Sequence, residues 1–204
     1  MGIEKALLVT GSGQRKIDSL AVLQEVARRQ RPSAAAPGPS GGVALHVAYS
    51  PYAQDLAAEL LRLRAKLRTG VVGGVWLQLG SDVAALRRGL AELKRIAHEE
   101  GVGAEQLELY GSVLMPSKQL LARFRFRPWV GVYFSDGYLT DVGTAMAITR
   151  EVLQVYAAHG VTPLWESRID KAADVAAIQA LMDEVASADG AADGTGSDVK
   201  RQKR

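Results

Sequence analysis

The sequence predicts a mostly parallel α/β domain, because short apolar runs alternate with segments of helical periodicity. The runs are apolar at successive positions, which is typical of parallel strands that are covered on both faces. Asp82 and Asp170 each precede a helical segment as predicted N-caps. Gly70 and Gly160 follow two others, where a left-handed residue would end the helix.

Five strands are expected, and a helical segment follows each of them. The predicted strands span residues 6–10, 43–49, 72–79, 107–114 and 161–166. Four helices carry apolar side chains at spacings of three and four residues, which places those side chains on one helix face. These apolar stripes are Leu56, Leu60, Leu63 and Leu67; Val83, Leu86, Leu90 and Leu93; Ile148, Val152 and Val155; and Val175, Ile178, Leu181 and Val185.

Residues 124–138 (FRFRPWVGVYFSDGY) fit no single pattern. Aromatic and β-branched residues favour a strand, but Pro128 interrupts it. The alternatives are a short helix, or a packed loop before a helix that begins near Gly143. The alternating Arg and Phe residues are typical either of nucleic-acid binding or, more commonly, of arginines that extend to solvent beside core aromatics.

The composition indicates one globular domain. The chain has 204 residues, of which 48% are hydrophobic, and this is enough for one core. The predicted domain covers residues 1–186 and includes a flexible loop at 31–42, while 187–204 are expected to form a disordered basic tail. We expect a cytoplasmic protein, because the sequence has no cysteine, no membrane-spanning run and no secretory leader.

The charge pattern argues against a nucleic-acid-binding body. The formal net charge is +3, but the KRQKR tail supplies four positive charges, so the first 199 residues carry −1. A globular nucleic-acid binder carries its basic patch on the folded body.

The histidines indicate neither a metal site nor a Ser-His-Asp triad. His46, His98 and His159 are widely separated, and no motif groups them with other ligands or with a nucleophile. His46 lies within a predicted strand, where a satisfied core residue is the commoner role.

Polar residues end two neighbouring strands. Tyr49 closes the second strand and Gln78 the third, and Lys66 lies on the helix between them. Because α/β proteins bind ligands at the carboxyl ends of parallel strands, residues 47–82 are predicted to form a ligand site.

The order and spacing of these residues resemble the methylenetetrahydrofolate reductase family. VAYSPYAQDLAAELLRLRAKLRTG followed by VWLQLGSD is similar to the family pattern VAxYPExHP…DLxxLKxKxxAGAxxxxTQxxFD. LLVTGSG falls on the family's LRGDPP strand end, and LYGSVLMP on its VPGIMP strand. AMAITREVLQVYAAHGVTPLWESR is similar to its closing helix, strand and LNR turn, so the resemblance covers residues 6–185.

The resemblance implies a partial (β/α)8 TIM-type barrel of about five parallel strands with flanking helices. It implies FAD as cofactor and NAD(P)H as co-substrate, in the reduction of 5,10-methylenetetrahydrofolate in one-carbon and methionine metabolism. The flavin contacts that it implies are Thr10, Gly11, Ser12, Ala48, Tyr49, Glu59, Arg62 and Lys66. The folate contacts that it implies are Gln78 and Arg168.

Three departures from the family pattern indicate that this chain does not catalyse the reaction alone. Ser12 stands where the family has an aspartate, and the histidine of the YPExHP loop is absent. The chain corresponds to the family's barrel from about its fourth strand, whereas the catalytic glutamate lies on the first, so no catalytic residue is assigned. The alternative is a non-catalytic half-barrel that serves as a binding or assembly module.

Five strands cannot close a barrel, which needs eight. An open arc is expected to expose two sheet edges and an apolar inner face. Three arrangements would resolve this exposure: a longer product of which the sequence is a part, a separate chain that supplies the missing strands, or an open α/β fold in which residues 124–138 cover an edge. We therefore expect a homo-oligomer or a complex with a chain that supplies those strands.

Overall fold

The computed structural model describes residues 3–10, 17–30, 43–103 and 106–193. The strands within these ranges are β1 (Lys5–Leu8), β2 (Ala44–Tyr49), β3 (Val72–Leu77), β4 (Glu108–Val113) and β5 (Val161–Trp165). The helices are α1 (Ser19–Gln30), α2 (Leu56–Leu67), α3 (Val83–Glu99), α4 (Lys118–Phe126), α5 (Asp136–Thr140), α6 (Val142–His159) and α7 (Ala172–Asp193).

The five strands form one parallel sheet in the order β1-β2-β3-β4-β5. Every crossover therefore moves one position in the same direction, as in a TIM-type barrel, whereas a doubly wound sheet reverses direction at a switch point. The fold is an α/β arc of five parallel strands with flanking helices, as predicted. All five predicted strands are present, and their ends shift by no more than two residues.

Capping residues define most of the helix ends. The side chains of Asp55 and Asp82 accept backbone N–H groups at the starts of α2 and α3, and Gly160 ends α6 at a φ of 70°. The predicted N-cap at Asp170 is wrong. Helix α7 begins two residues later, and the carboxylate of Asp174 instead accepts the N–H groups of Asp170 and Lys171.

The core lies between the sheet and the helices, and the four predicted apolar stripes supply much of it. Leu63, Leu90, Val152 and Leu181, one from each stripe, are all buried in this cluster. The exception is Val175, which is 55% exposed near the start of α7. That stripe therefore makes its core contacts farther along the helix.

The sheet face opposite the helices, here called the inner face, is not the apolar surface that an open arc predicts. Trp76 and Tyr110 are neighbours in the register of β3 and β4, with ring centroids 5.3 Å apart. Lys5 on β1 donates to Glu108 on β4 at 2.7 Å, which spans two intervening strands. The sheet therefore curves toward this face, and an ion pair covers part of it.

Residues 124–138 include the end of α4, an irregular segment and the start of α5. Phe124 is buried, with ring centroids 4.8 Å from Trp129 and 4.6 Å from Phe134. Arg125 donates to the carbonyl of Leu139, as expected for an arginine beside core aromatics. The segment bridges to Gly80 after the central strand β3, so it does not cover β1 or β5.

The structure describes only part of the segments predicted as a flexible loop and a disordered tail. Helix α7 continues to Asp193, past the expected start of the tail at residue 187. The loop at 31–42 and the KRQKR segment lie outside the described residues. Among the helices that are described, none has the length and apolarity to cross a membrane.

Candidate functional site

A cleft of about 470 Å³ lies over the carboxyl ends of β1, β2 and β3, and we call it the β1–β3 cleft. Its lining residues are Leu8, Val9, Thr10, Asp18, Ser19, Leu20, Ala48, Glu59, Arg62, Lys66 and Gln78. Six of the ten residues that the resemblance implied as ligand contacts are among them, namely Thr10, Ala48, Glu59, Arg62, Lys66 and Gln78. The fold thus brings together residues that are up to 68 positions apart in the sequence.

Helix α2 places three charged side chains on the cleft. Glu59, Arg62 and Lys66 are separated by three and four residues, so they share one helix face. Arg62 pairs with Glu59 at 2.7 Å, and Glu59 also accepts the backbone N–H of Ser50 at 3.0 Å. The Glu59 carboxylate is therefore already engaged within the protein.

Lys66 is the cation of the cleft that lacks a carboxylate partner among the described residues. Its Nζ donates to the carbonyl of Ala48 at the end of β2, over 3.2 Å. Burial lowers the pKa of Lys66, and the Glu59 carboxylate opposes that shift. An ammonium group in such a position favours an anionic ligand, because the ligand would replace the water that burial removes.

Gln78 directly follows β3 and lines the cleft. Its Oε1 accepts the backbone N–H of the next residue, Leu79, at 3.0 Å. Gly131, at a φ of 82°, lies close to Nε2, since a Cβ atom at this position would come within 3.5 Å of it. The side-chain NH2 group thus remains able to donate to a ligand.

Hydroxyl groups line the β1 side of the cleft. Thr10 Oγ1 lies 3.3 Å from Ser19 Oγ, and Asp18 accepts the N–H of Leu20 at the start of α1. Asp18 and Ser19 were not among the predicted site residues. The signal that could have identified them is an Asp-Ser pair that directly precedes an apolar periodic segment. Gly11 and Ser12, predicted as flavin contacts, lie outside the described residues.

Tyr49 does not line the cleft, although the resemblance implied it as a flavin contact. Its side chain points to the helices, and the hydroxyl donates to the carbonyl of Gly89 on α3 at 3.2 Å. Tyr49 is 1% exposed, and burial raises the pKa of its hydroxyl. Successive residues of a strand face opposite sides of the sheet. Ala48 faces the cleft, so Tyr49 faces the helices and the core.

Arg168 also lies apart from the β1–β3 cleft. It follows β5, its side chain is 88% exposed, and it pairs with Asp170 at 2.6 Å. The cleft that it lines lies instead over the ends of β4 and β5. The structure therefore separates the two predicted folate contacts, Gln78 and Arg168, into different clefts.

His46 is buried as expected but is not fully satisfied. Its Nδ1 accepts from Trp76 Nε1 at 3.0 Å, which requires a neutral ring with the proton on Nε2. Within the described residues Nε2 has no hydrogen-bond partner, and the nearest carboxylate oxygen, from Glu108, is 3.8 Å away. This group lies on the inner face within the strands, and neither His46 nor Trp76 lines the β1–β3 cleft.

Comparison with known proteins shows the fold and no family. No protein-family model matches the sequence, and no curated protein matches it. A solved structure from Clostridium thermocellum, of a protein that binds two copies of 5-methyl-5,6,7,8-tetrahydrofolic acid, matches with a TM-score of 0.52. The match has 12% sequence identity and covers 89% of this chain and 72% of that chain. The likeness is one of fold.

Proposed function

We propose that this chain binds a reduced folate and a flavin at the carboxyl edge of its sheet, as a protein of the methylenetetrahydrofolate reductase type. The observation that carries the proposal is the meeting of six implied ligand contacts in the β1–β3 cleft. The fold shared with a protein that binds 5-methyltetrahydrofolate supports the folate part.

The residues of the cleft fit the polar part of a flavin. Lys66 offers an ammonium group without an ion-pair partner among the described residues, which suits a diphosphate. The hydroxyls of Thr10 and Ser19 suit a polyol chain. The aromatic partner expected for the ring system is not supplied by Tyr49, since that side chain faces α3.

Gln78 supplies the proposed contact to the folate. Its NH2 group, which has no hydrogen-bond partner among the described residues, can donate to a carbonyl oxygen or ring nitrogen of a pterin. A bound flavin would supply hydride transfer from NAD(P)H to the methylene carbon of 5,10-methylenetetrahydrofolate. The chain's own residues bind and orient the two molecules.

A non-catalytic binding module is the second candidate, and the state of Glu59 favours it. A group that transfers a proton to a ligand has to lie within hydrogen-bond reach of it. Both oxygens of Glu59 are instead engaged within the protein, one by the Ser50 N–H and the other by Arg62. In either case, we propose that this chain contributes binding, and that a proton donor comes from outside the described residues.

Calorimetric titration of the full chain with 5-methyltetrahydrofolate tests the proposal. We expect saturable binding that Gln78→Leu weakens about tenfold, because one buried hydrogen bond is lost. Gln154→Leu on α6 is the matched control, because Gln154 lines neither cleft. No heat of binding to the wild-type chain, or equal losses in both variants, would refute the folate site at Gln78.

A further inference from the structure

The segment at the end of helix α4 carries exposed apolar side chains that the proposed function does not use. Val130 is fully exposed, Phe126 is 92% exposed and Trp129 is 36% exposed, all within five positions of the sequence. Exposed apolar residues that occur singly are common, whereas a group of them beside polar residues marks a contact surface. We call residues 126–130 the apolar tip.

Backbone hydrogen bonds fix the apolar tip at both ends. The N–H of Arg127 donates to the carbonyl of Arg123 at 2.7 Å and closes the last turn of α4. The N–H of Val132 donates to the carbonyl of Trp129 at 3.2 Å, and the ring of Trp129 packs on the buried ring of Phe124 with centroids 4.8 Å apart. The exposed side chains therefore project from an ordered turn that the core supports.

Arginines adjoin the apolar tip. Arg123, Arg125 and Arg127 are all exposed, and no ion pair of the described residues includes any of them. The guanidinium of Arg123 lies 5.5 Å from the ring centroid of Trp129, so charge and apolar surface are in direct contact. The sequence has no Asp or Glu from position 109 to 135. This surface is therefore both positive and apolar.

An anionic lipid surface fits this combination better than a nucleic acid or a protein does. Lipid headgroups attract arginines, while aromatic and aliphatic side chains enter the boundary of the acyl chains. Nucleic-acid bases stack on rings, but Val130 has none, and the first 199 residues carry a net charge of −1. A stable protein interface uses roughly 20–30 residues on each side, far more than the tip offers.

We propose that the apolar tip is a contact site for an anionic membrane surface. Phe126, Trp129 and Val130 insert among the lipid headgroups, and Arg123 and Arg127 bind lipid phosphates. The binding is reversible, because few side chains take part. None of these residues lines the β1–β3 cleft, so the inference is independent of the flavin and folate sites.

Co-sedimentation of the full chain with lipid vesicles tests the proposal. We expect the wild-type chain to bind vesicles of equal parts phosphatidylglycerol and phosphatidylcholine, and to bind phosphatidylcholine alone about tenfold more weakly. The double variant F126S/V130S should lose about tenfold or more in affinity for the mixed vesicles, because two apolar side chains no longer leave water. Arg127→Gln should lose about fivefold, since one cation near the surface is removed.

Leu61→Ser and Arg88→Gln are the matched controls. Leu61 is 68% exposed on α2 and Arg88 is exposed on α3, so both lie on helices other than the one that carries the tip. Both variants should bind like the wild-type chain. All of the replaced side chains are exposed, and thermal melting verifies that each variant is folded.

Two further measurements separate insertion at the tip from adsorption by charge alone. Lipids with brominated acyl chains should quench the tryptophan fluorescence of the wild-type chain, and Trp129→Phe should abolish this quenching. The KRQKR segment at 200–204 also carries positive charge. Replacement of its four cations by glutamine should leave the loss caused by F126S/V130S unchanged.

Four outcomes would overturn the proposal. The first is the absence of vesicle binding by the folded wild-type chain. The second is an equal loss in Leu61→Ser and F126S/V130S. The third is complete loss of binding when the cations of the KRQKR segment are replaced, which would assign the contact to that segment. The fourth is binding of a single-stranded oligonucleotide, or self-association, that F126S/V130S abolishes while vesicle binding is unaffected. Loss of 5-methyltetrahydrofolate binding in Gln78→Leu would leave these results unchanged.

Discussion

Lys66 on α2 donates a hydrogen bond to the carbonyl of Ala48 at the end of β2, over 3.2 Å. The contact joins a helix to the strand that precedes it and holds the ammonium group at the β1–β3 cleft. Without a ligand, this half-buried cation carries a desolvation cost that lowers the pKa of Lys66.

Lys66→Met should therefore leave the free energy of unfolding of the ligand-free chain unchanged or slightly higher. The pKa in the folded state is below the ordinary value, so the unfolded chain binds the proton more strongly, and burial of the charge opposes folding. Urea denaturation at pH 7 measures this effect. A loss of more than about 1 kcal/mol would show that the hydrogen bond to Ala48 outweighs the desolvation cost.

Tyr49→Phe should destabilise the chain by about 1 kcal/mol, because the Gly89 carbonyl loses a buried donor. Tyr52→Phe is the matched control. The Tyr52 hydroxyl is buried without a hydrogen-bond partner among the described residues, so its removal should be neutral or stabilising. Both variants are measured by urea denaturation. Equal losses in the two would contradict the core role assigned to the Tyr49 hydroxyl.

The chain should lose stability as the pH falls from 7 to 5, and His46 should cause part of that loss. Burial lowers the pKa of His46 below 6.5, with Glu108 opposing and Lys5 adding to the shift. As the pH falls below 6.5, the unfolded state binds more protons than the folded state. The contribution of His46 to the free energy of unfolding is therefore complete above this pH and is lost as the pH falls. Protonation of Nδ1 would also break the bond from Trp76.

His46→Leu should make the stability less dependent on pH over this range. Some pH dependence should remain in this variant, because burial lowers the pKa of His159 as well. His98→Leu is the control, because His98 is exposed. Urea denaturation at pH 5 and 7 gives the comparison, and an unchanged difference between the two pH values in His46→Leu would show that His46 does not titrate on unfolding.

We expect the isolated chain to associate in solution. Among the described residues β1 pairs only with β2, and β5 only with β4, so both edges of the arc are unpaired. Unpaired parallel edges favour contact with a second copy or another chain. Light scattering across a range of protein concentrations tests this, and a monodisperse monomer at every concentration would count against it.

The positions of the strands and helices were predictable because their signals are local. Apolar runs, helical stripes and caps such as Asp82 depend on residues close together in the sequence, and they occur where they were expected except for the cap at Asp170. The orientation of a strand-end side chain depends on register instead. Tyr49 and Ala48 differ by one position, and only the assembled sheet shows which of them faces the cleft.

The charge state of each cleft was also not predictable from the sequence. Arg168 is neutralised by Asp170, two residues away, while Arg123 remains without a carboxylate partner among the described residues because its helix directs it toward Trp129. The polar inner face was missed for a related reason. Lys5 and Glu108 are 103 positions apart, and the curvature of the sheet brings them together.

Fluorescence titration of FAD with the full chain tests most directly whether the β1–β3 cleft binds a flavin. We expect saturable binding by the wild-type chain and a decrease in affinity of about tenfold in Lys66→Met, because one charge-assisted contact to the diphosphate is lost. Lys94→Met on α3 is the control, since Lys94 lies outside the cleft, and it should bind like the wild-type chain. No binding by the wild-type chain, or unchanged affinity in Lys66→Met, would contradict the proposed site.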